Sequence, residues 1–277
     1  MIGYNITKLS DAQFKKFSDL VYSKTGIFLK PEKKELLNAR LGKRLRACRI
    51  DNFKDYYQYV MQDRSGEELI QLIDSVSTNF TSFFREKGHF DYLGSTVLPE
   101  IVHDRKRNNE LIVWSAACSS GEEPYTLAMV LDDYFSSYPD QRFVIQATDI
   151  STKVLAQAER GIYSEDRITG IPNSMVRKYF QKGVGQSAGY VKIKEVLRRV
   201  VKFSRFNLMD EFSWPKPVDI IFCRNVMIYF NRETQQDLVS KFYSAMAPGG
   251  YLFIGHSESI TSIKHGFKQI ASTTYRK

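Results

Sequence analysis

The sequence predicts an α/β protein: a doubly wound, mostly parallel sheet behind an N-terminal helical domain, with a small β insertion. Three observations lead there. Strand-like apolar runs alternate with helical patterns from residue 109 to 277. The first ninety residues carry helix signals and no convincing strand. A small-residue loop, Ser115–Gly121, joins the first apolar run to a helix, as in ligand-binding α/β folds.

Each element has a local reason. Ser10 and Gln13 form a capping-box pattern ahead of Phe14, Phe17, Leu20 and Val21, and Gly26 closes that run. Pro31 opens a second helix, Asp51 precedes a third (NFKDYYQYVMQ), and Ser65 with Glu68 caps a fourth (ELIQLIDSVS). The strands read ELIVW, RFVIQAT, RVVKFSRF, DIIFC and GYLFIG. The helices between them read PYTLAMVLDDYF, STKVLAQAERG and RETQQDLVSKFYSAM, which implies right-handed crossovers. Pro248-Gly249-Gly250 reads as a tight turn and KQIASTTYR as a late antiparallel strand. Between Tyr163 and Leu197, KGVGQSAGYVKIKE is Gly-rich and then alternating, which suits a hairpin. The organisation expected is a helical domain at 1–76, a linker at 77–108 that contributes to a cofactor site, and a third part at 109–277 with its insertion near 164–198.

Composition narrows the function. Of 277 residues, 43% are hydrophobic and 26% charged, as in soluble globular proteins. The start MIGYNITKLSD turns polar too soon for a signal peptide, and no apolar run approaches the roughly 20 residues of a membrane span. Cys48, Cys118 and Cys223 are scattered and odd in number, and the four histidines lack paired spacing. This points to a reducing cytoplasm and to no metal site. A net charge of +9 suits an anionic partner: nucleic acid, anionic lipid or an acidic protein surface.

The loop and helix VWSAACSSGEEPYTLAMVL form a cradle in which small side chains let a ligand reach backbone amides. Glu122 and Glu123 at the helix entry would repel a pyrophosphate, which disfavours NAD, FAD and ATP. A ligand with hydroxyls and positive charge fits better, and S-adenosylmethionine has both. Asp149, at the end of the second strand and 28 residues past Gly121, suits ribose hydroxyls; a helix-entry or solvated carboxylate is the alternative. DIIFC runs into Arg224-Asn225, where a buried arginine needs either a ligand or an ion-pair partner. STNFTSFFRE interleaves polar groups with aromatics and either lines a cleft or packs as a linker on its phenylalanines. In the second helix Lys33, Arg40, Lys43 and Arg44 fall within about a third of the circumference, taking about 100° per residue. They form either a solvated face or a docking stripe for acidic helices.

At this point the motifs carry a resemblance. TNFTSFFRE, WSAACSSGEEPYTLA, ATDIS, FNLMD and FCRNVMIYF occur in the order, and at nearly the spacing, of the CheR-type chemotaxis receptor glutamate O-methyltransferases. APGGYLFIGHSES resembles their late strand, and Ala116, Cys118 and Ser119 stand where other methyltransferases place glycines, as in this family. The resemblance covers nearly the whole chain. It implies a Rossmann-like class I methyltransferase fold and S-adenosylmethionine-dependent methylation of glutamate carboxylates on methyl-accepting receptors. The product cofactor would be S-adenosylhomocysteine. Carried over, Asn79, Thr81 and Arg85 contact the cofactor from the linker, Glu123 lies beside it and Asp149 holds the ribose. Asn207-Leu208 frames the adenine and Arg224-Asn225 completes the pocket. Arg85 and Tyr229 lie nearest the transferring methyl, Lys33, Arg40, Lys43 and Arg44 bind the receptor, and residues 183–194 resemble the part that grips a receptor tail peptide. No general base is expected, because the acceptor carboxylate, with a reference pKa of about 4.3, is already ionised. His256, which follows a strand end, stays open as a site residue. Two other readings are a nucleic-acid methyltransferase, disfavoured because Asn225-Val226-Met227-Ile228 stands where a base-stacking Pro-Pro-aromatic motif would be, and a non-catalytic cofactor-binding signalling module.

Overall fold

A computed structural model describes residues 8–104 and 110–277. Its N-terminal part holds four helices: α1 (Asp11–Thr25), α2 (Lys34–Cys48), α3 (Phe53–Gln62) and α4 (Glu67–Val76). The capping box at Ser10–Gln13 forms, and Gly26 ends α1 at φ 72°. One helix start differs from expectation. Asp51 precedes α3 as read, and Asn52 caps it. At α4 the backbone N–H groups of Ser65 and Glu68 donate to Asp63, because the Glu68 carboxylate turns inward to Arg44 and Tyr56. Leu9, Phe17, Val21, Leu41, Tyr56 and Leu72 belong to the core these helices share.

Short helix α5 (Gly88–Tyr92) continues through a π-helical turn into α6 (Leu98–Asp104). The α/β part then runs β1 (Leu111–Ala116), α7 (Glu122–Phe135), β2 (Phe143–Asp149), α8 (Thr152–Arg160), β3 (Ile162–Ser164), α9 (Asn173–Tyr179), β4 (Phe180–Lys182) and β5 (Tyr190–Ile193). It ends with α10 (Glu195–Arg198), β6 (Val201–Arg205), β7 (Val218–Cys223), α11 (Arg232–Ala245), β8 (Met246–Ile254), β9 (Lys268–Ala271) and β10 (Thr274–Arg276). The main sheet has the order β6-β2-β1-β7-β8-β10-β9. Its first five strands are parallel and β10 is antiparallel to both neighbours. The mostly parallel, doubly wound sheet is therefore present. Side chains alternate across it: Leu111, Val113, Ile220 and Phe222 pack with α7, while Trp114, Ala116, Ile221 and Cys223 pack with α11.

Three details depart from the sequence reading. The tail forms a two-stranded hairpin, β9–β10, where one strand was expected. Pro248-Gly249-Gly250 sits inside β8 as a register irregularity, because Gly250 packs where a Cβ would lie 2.8 Å from the Asp219 carbonyl. The insertion has three antiparallel strands in the order β3-β5-β4, since Ile162–Ser164 pairs with the hairpin's second strand. At Gly183 a Cβ would lie 2.0 Å from the Ser187 carbonyl oxygen, so only glycine fits that loop.

Contacts tie the helical part to the carboxyl ends of the strands. Tyr22 shares hydrogen bonds with Thr234 and Asn231, the Asn207 amide donates to the Lys24 carbonyl, and Phe28 N–H donates to the Tyr229 carbonyl. These bonds close the cleft described next.

Candidate active site

Strand order reverses at β1, and an open α/β sheet binds ligands in the crevice outside the strand ends at such a point. A cleft of about 220 Å³ lies there. Its walls come from the loops after β1, β2, β6 and β7, from the turn between α1 and α2, and from residues 76–85. Asn79, Thr81, Arg85, Glu123, Asp149, Asn207, Leu208, Arg224, Asn225, Tyr229 and Lys33 all line it.

The loop after β1 is strained. Ala117 and Ser119 adopt positive φ, 62° and 50°, without being glycine. Five of the seven positive-φ non-glycine residues among those described (Phe84, Glu86, Ala117, Ser119 and Asn225) lie in or beside this cleft, so the strain is local to it. Ser119 N–H donates to Asp149 Oδ2 at 2.8 Å and Ser151 N–H to Asp149 Oδ1 at 2.9 Å. Burial pushes the Asp149 carboxyl above its usual range, and those amide bonds oppose the rise.

The two acids that open α7 diverge. Glu123 faces the cleft and accepts from Ser115 Oγ at 2.7 Å and from Arg224 Nη1 at 3.1 Å. Burial raises its pKa, and Arg224 opposes the rise. Glu122 is fully buried, lies outside the cleft lining and pairs with Arg167.

Arg224 is the centre of the deepest charge network. Its side chain is 1% exposed and bonds Glu123, Glu86 at 2.9 Å and the Arg85 carbonyl. Its Nε has no hydrogen-bond partner among the described residues. Asn225, at φ 59°, donates its side-chain amide to Glu86 Oε1 at 3.1 Å and its N–H to Glu258. For Glu86, burial pushes the pKa up, but Asn225 and Arg224 outweigh it and hold the carboxyl below its usual value. Glu86 and Glu258 are network members that sequence reasoning missed. Their signal was present, since each stands inside a quoted motif, FFRE and GHSES.

Arg85 is held more loosely. It donates to the Phe80 carbonyl at 2.8 Å and stacks its guanidinium 5.4 Å from the Phe80 ring. The Asn79 carbonyl accepts from Ser119 Oγ, and Thr81 is buried with its carbonyl on Arg167. Asn207 is occupied by Lys24 and Met209 backbone groups while its neighbour Leu208 is buried in the wall.

The cationic stripe of α2 requires a correction. Arg44 pairs with the buried Glu68 at 2.7 Å, and Arg40 donates to the Val76 and Ser77 carbonyls at the end of α4. Internal acceptors therefore occupy two of the four cations. Lys33 remains on the cleft edge and Lys43 on the surface. His256 does not line the cleft. With His89 and Glu86 it brings ligand-type atoms within 4.8 Å, but Arg224 already supplies the cation on Glu86. His103 and His265 also lie away from the lining.

The chemistry of the cleft fits S-adenosylmethionine. Carboxylates at the ends of β2 and at the start of α7 match hydroxyls and positive charge. The unpartnered Arg224 Nε offers a donor, and the small residues Ala117–Ser119 leave room for a ligand against the backbone.

Comparison with known proteins gives an independent result. Residues 79–276 match the family described as CheR methyltransferase, SAM binding domain, and residues 12–77 match its all-alpha domain. A chemotaxis protein methyltransferase of Borreliella burgdorferi is 41% identical over 280 residues, covering 100% of this chain and 96% of the relative. Those of Escherichia coli and Salmonella typhimurium are each 38% identical, covering 96% of this chain and 91% and 90% of the relatives.

Proposed function

Because the chain belongs to the CheR methyltransferase family, a group of S-adenosylmethionine-dependent enzymes of chemotaxis, we propose that it methylates glutamate side chains of methyl-accepting receptors. The products are glutamate methyl esters and S-adenosylhomocysteine. The observation that carries this reading is the unequal state of the two cleft arginines. Arg224 is committed to two carboxylates, whereas among the described residues Arg85 has a single hydrogen-bond partner, a carbonyl, and keeps donors for an incoming carboxylate.

The bound cofactor supplies an electrophilic methyl group on a sulfonium. Asp149 would hold the ribose hydroxyls, Asn207 and Leu208 would frame the adenine, and Asn79, Thr81 and Glu123 would complete the cofactor wall with Arg224 and Asn225. Arg85 steers the acceptor carboxylate and Tyr229 orients it. None of the residues lining the cleft is a histidine, and none is needed, since a glutamate with a reference pKa near 4.3 arrives ionised. The chain's own contribution would be positioning and exclusion of water, which favour a displacement in which the carboxylate O–CH3 bond forms as the S–CH3 bond breaks and both charges are lost.

Lys33 and Lys43 contact the acidic receptor helices, with Arg40 and Arg44 setting the surface from within. Within residues 183–194 the strand β5 is paired on both sides, so a receptor tail peptide adds beside one of its flanking strands, β3 or β4, where the small sheet keeps its edges. No helix of the described residues is long and apolar enough to cross a membrane.

The test uses radiolabelled S-adenosylmethionine with receptor-rich membranes or nucleic acid, followed by mild alkali. Volatile methanol from the receptor fraction is expected, as an ester requires. Alkali-stable label in nucleic acid overturns the proposal, and binding without transfer to either substrate points to a signalling module.

A further inference from the structure

Among the described residues, the small sheet and the turn after β3 are tied to the cofactor cleft by side chains, Arg167 foremost. Arg167 lies in the turn Glu165–Ile168 that follows β3. Its Nη2 donates to Glu122 and, at 3.2 Å, to the Thr81 carbonyl. Glu122 also accepts from Ser120 Oγ at 2.7 Å and has no exposure to solvent. A buried carboxylate of this kind needs its cation close by. Packing reinforces the link. Tyr163 of β3 donates to the Ser120 carbonyl at 2.7 Å, and Phe83 meets Tyr163 and Phe180 edge-on at 5.0 and 5.5 Å. Two walls of the cleft, the segment around Thr81 and the loop before α7, are therefore held from outside by the insertion.

We propose that Arg167 is a positioning residue for the cofactor: it fixes the Thr81 segment against the first turn of α7, so the insertion is a supporting wall of the S-adenosylmethionine site. The inference rests on the assignment of Thr81 to the cofactor. Arg167 is outside the cleft lining and bonds neither Arg85 nor Tyr229. Its effect thus falls on cofactor affinity and not on the acceptor or the chemical step.

Arg167→Met keeps the stem and removes the donors. It is compared with Glu122→Gln/Arg167→Met and with Thr81→Ala, using calorimetry with S-adenosylmethionine, steady-state methylation and thermal unfolding. Arg167→Met is expected to weaken cofactor binding about tenfold, the scale of one charge-assisted hydrogen bond. The KM for cofactor rises, while kcat at saturating cofactor and the KM for receptor stay near wild type. The double variant removes the buried charge with its partner. It regains thermal stability but not cofactor affinity, because the Thr81 carbonyl is still unheld. Unchanged cofactor affinity in Arg167→Met, or affinity restored in the double variant, assigns Arg167 to stability alone and overturns the proposal. Unchanged affinity in Thr81→Ala removes the premise, and the proposal with it.

Discussion

Two arginines in one cleft do different work, and substitution separates them. Arg224 neutralises Glu86 and Glu123 where water is excluded. Arg224→Ala leaves both carboxylates unmatched, so a loss of about 3–5 kcal/mol in folding stability is expected by denaturant unfolding. Arg85→Ala removes a side chain with one carbonyl partner. Its unfolding midpoint is expected to hold while kcat/KM falls by roughly 100-fold or more, the scale of a positioning group. Near-normal turnover of that variant removes Arg85 from the site. Tyr229→Phe asks the same of the hydroxyl, with a reduced kcat expected. His89 adds a pH dependence. Burial, then Arg224 and His256, lowers its pKa to about 4, against an opposing pull from Glu86. The unfolded chain binds a proton there near pH 6.5 and the folded chain near 4. The stability that neutral His89 contributes is therefore present above pH 6.5 and lost as pH falls toward 4, by roughly 3 kcal/mol. Thermal midpoints measured from pH 7 to pH 4.5 should fall less steeply in His89→Gln than in the wild type.

At the scale of elements, β1, its loop and α7 form the unit on which the site is built. Gly121 at φ 96° carries the chain into α7, and a Cβ there would lie 2.8 Å from Ala158 Cβ and 2.9 Å from the Tyr163 hydroxyl. Gly121→Ala therefore combines a left-handed backbone with overlap against α8 and β3. A destabilisation of about 2–3 kcal/mol is expected, read by urea unfolding. The glycine was visible in the sequence, but the crowding on it was not. The same contrast runs through the chain. Short apolar runs placed the five parallel strands, and period-3.6 patterns the helices α7, α8 and α11, because burial writes itself into the spacing of apolar residues. Asp149 and Arg224-Asn225 were legible as strand-end residues for the same reason. Spacing does not reveal which distant group will engage a side chain. The α2 stripe looked uniform until Glu68 and the end of α4 drew Arg44 and Arg40 inward. Glu122 and Glu123, adjacent in sequence, point to different partners for the same reason. The β3 strand was missed because three residues carry too little pattern, and only pairing with β5 defines it.

On the scale of the whole molecule, a charge of +9 must be reconciled with a cleft rich in carboxylates. The two act at different ranges. Inside the cleft the acids are matched by Arg224 and by backbone amides, and such short, shielded contacts respond weakly to salt. Outside, Lys33 in the turn before α2 and Lys43 on α2 remain exposed, where attraction for the proposed acidic receptor is screened over about 10 Å at 0.1 M salt and about 3 Å at 1 M. Single exposed pairs contribute only about 0.2–1 kcal/mol, so the effect resides in the summed field and in the rate of encounter. Receptor methylation at subsaturating receptor is accordingly expected to fall steeply between 50 and 500 mM salt (assay settings at roughly the Debye range above), while cofactor affinity measured by calorimetry stays nearly constant. Lys33→Ala/Lys43→Ala should raise the receptor KM at low salt and flatten the salt response, and Lys43→Ala alone, outside the cleft lining, should leave the cofactor KM unmoved. A flat wild-type response rules out charge as the means by which this enzyme meets its substrate and leaves the apolar cleft rim, where Phe28, Leu36 and Phe80 stand exposed, to make the first contact.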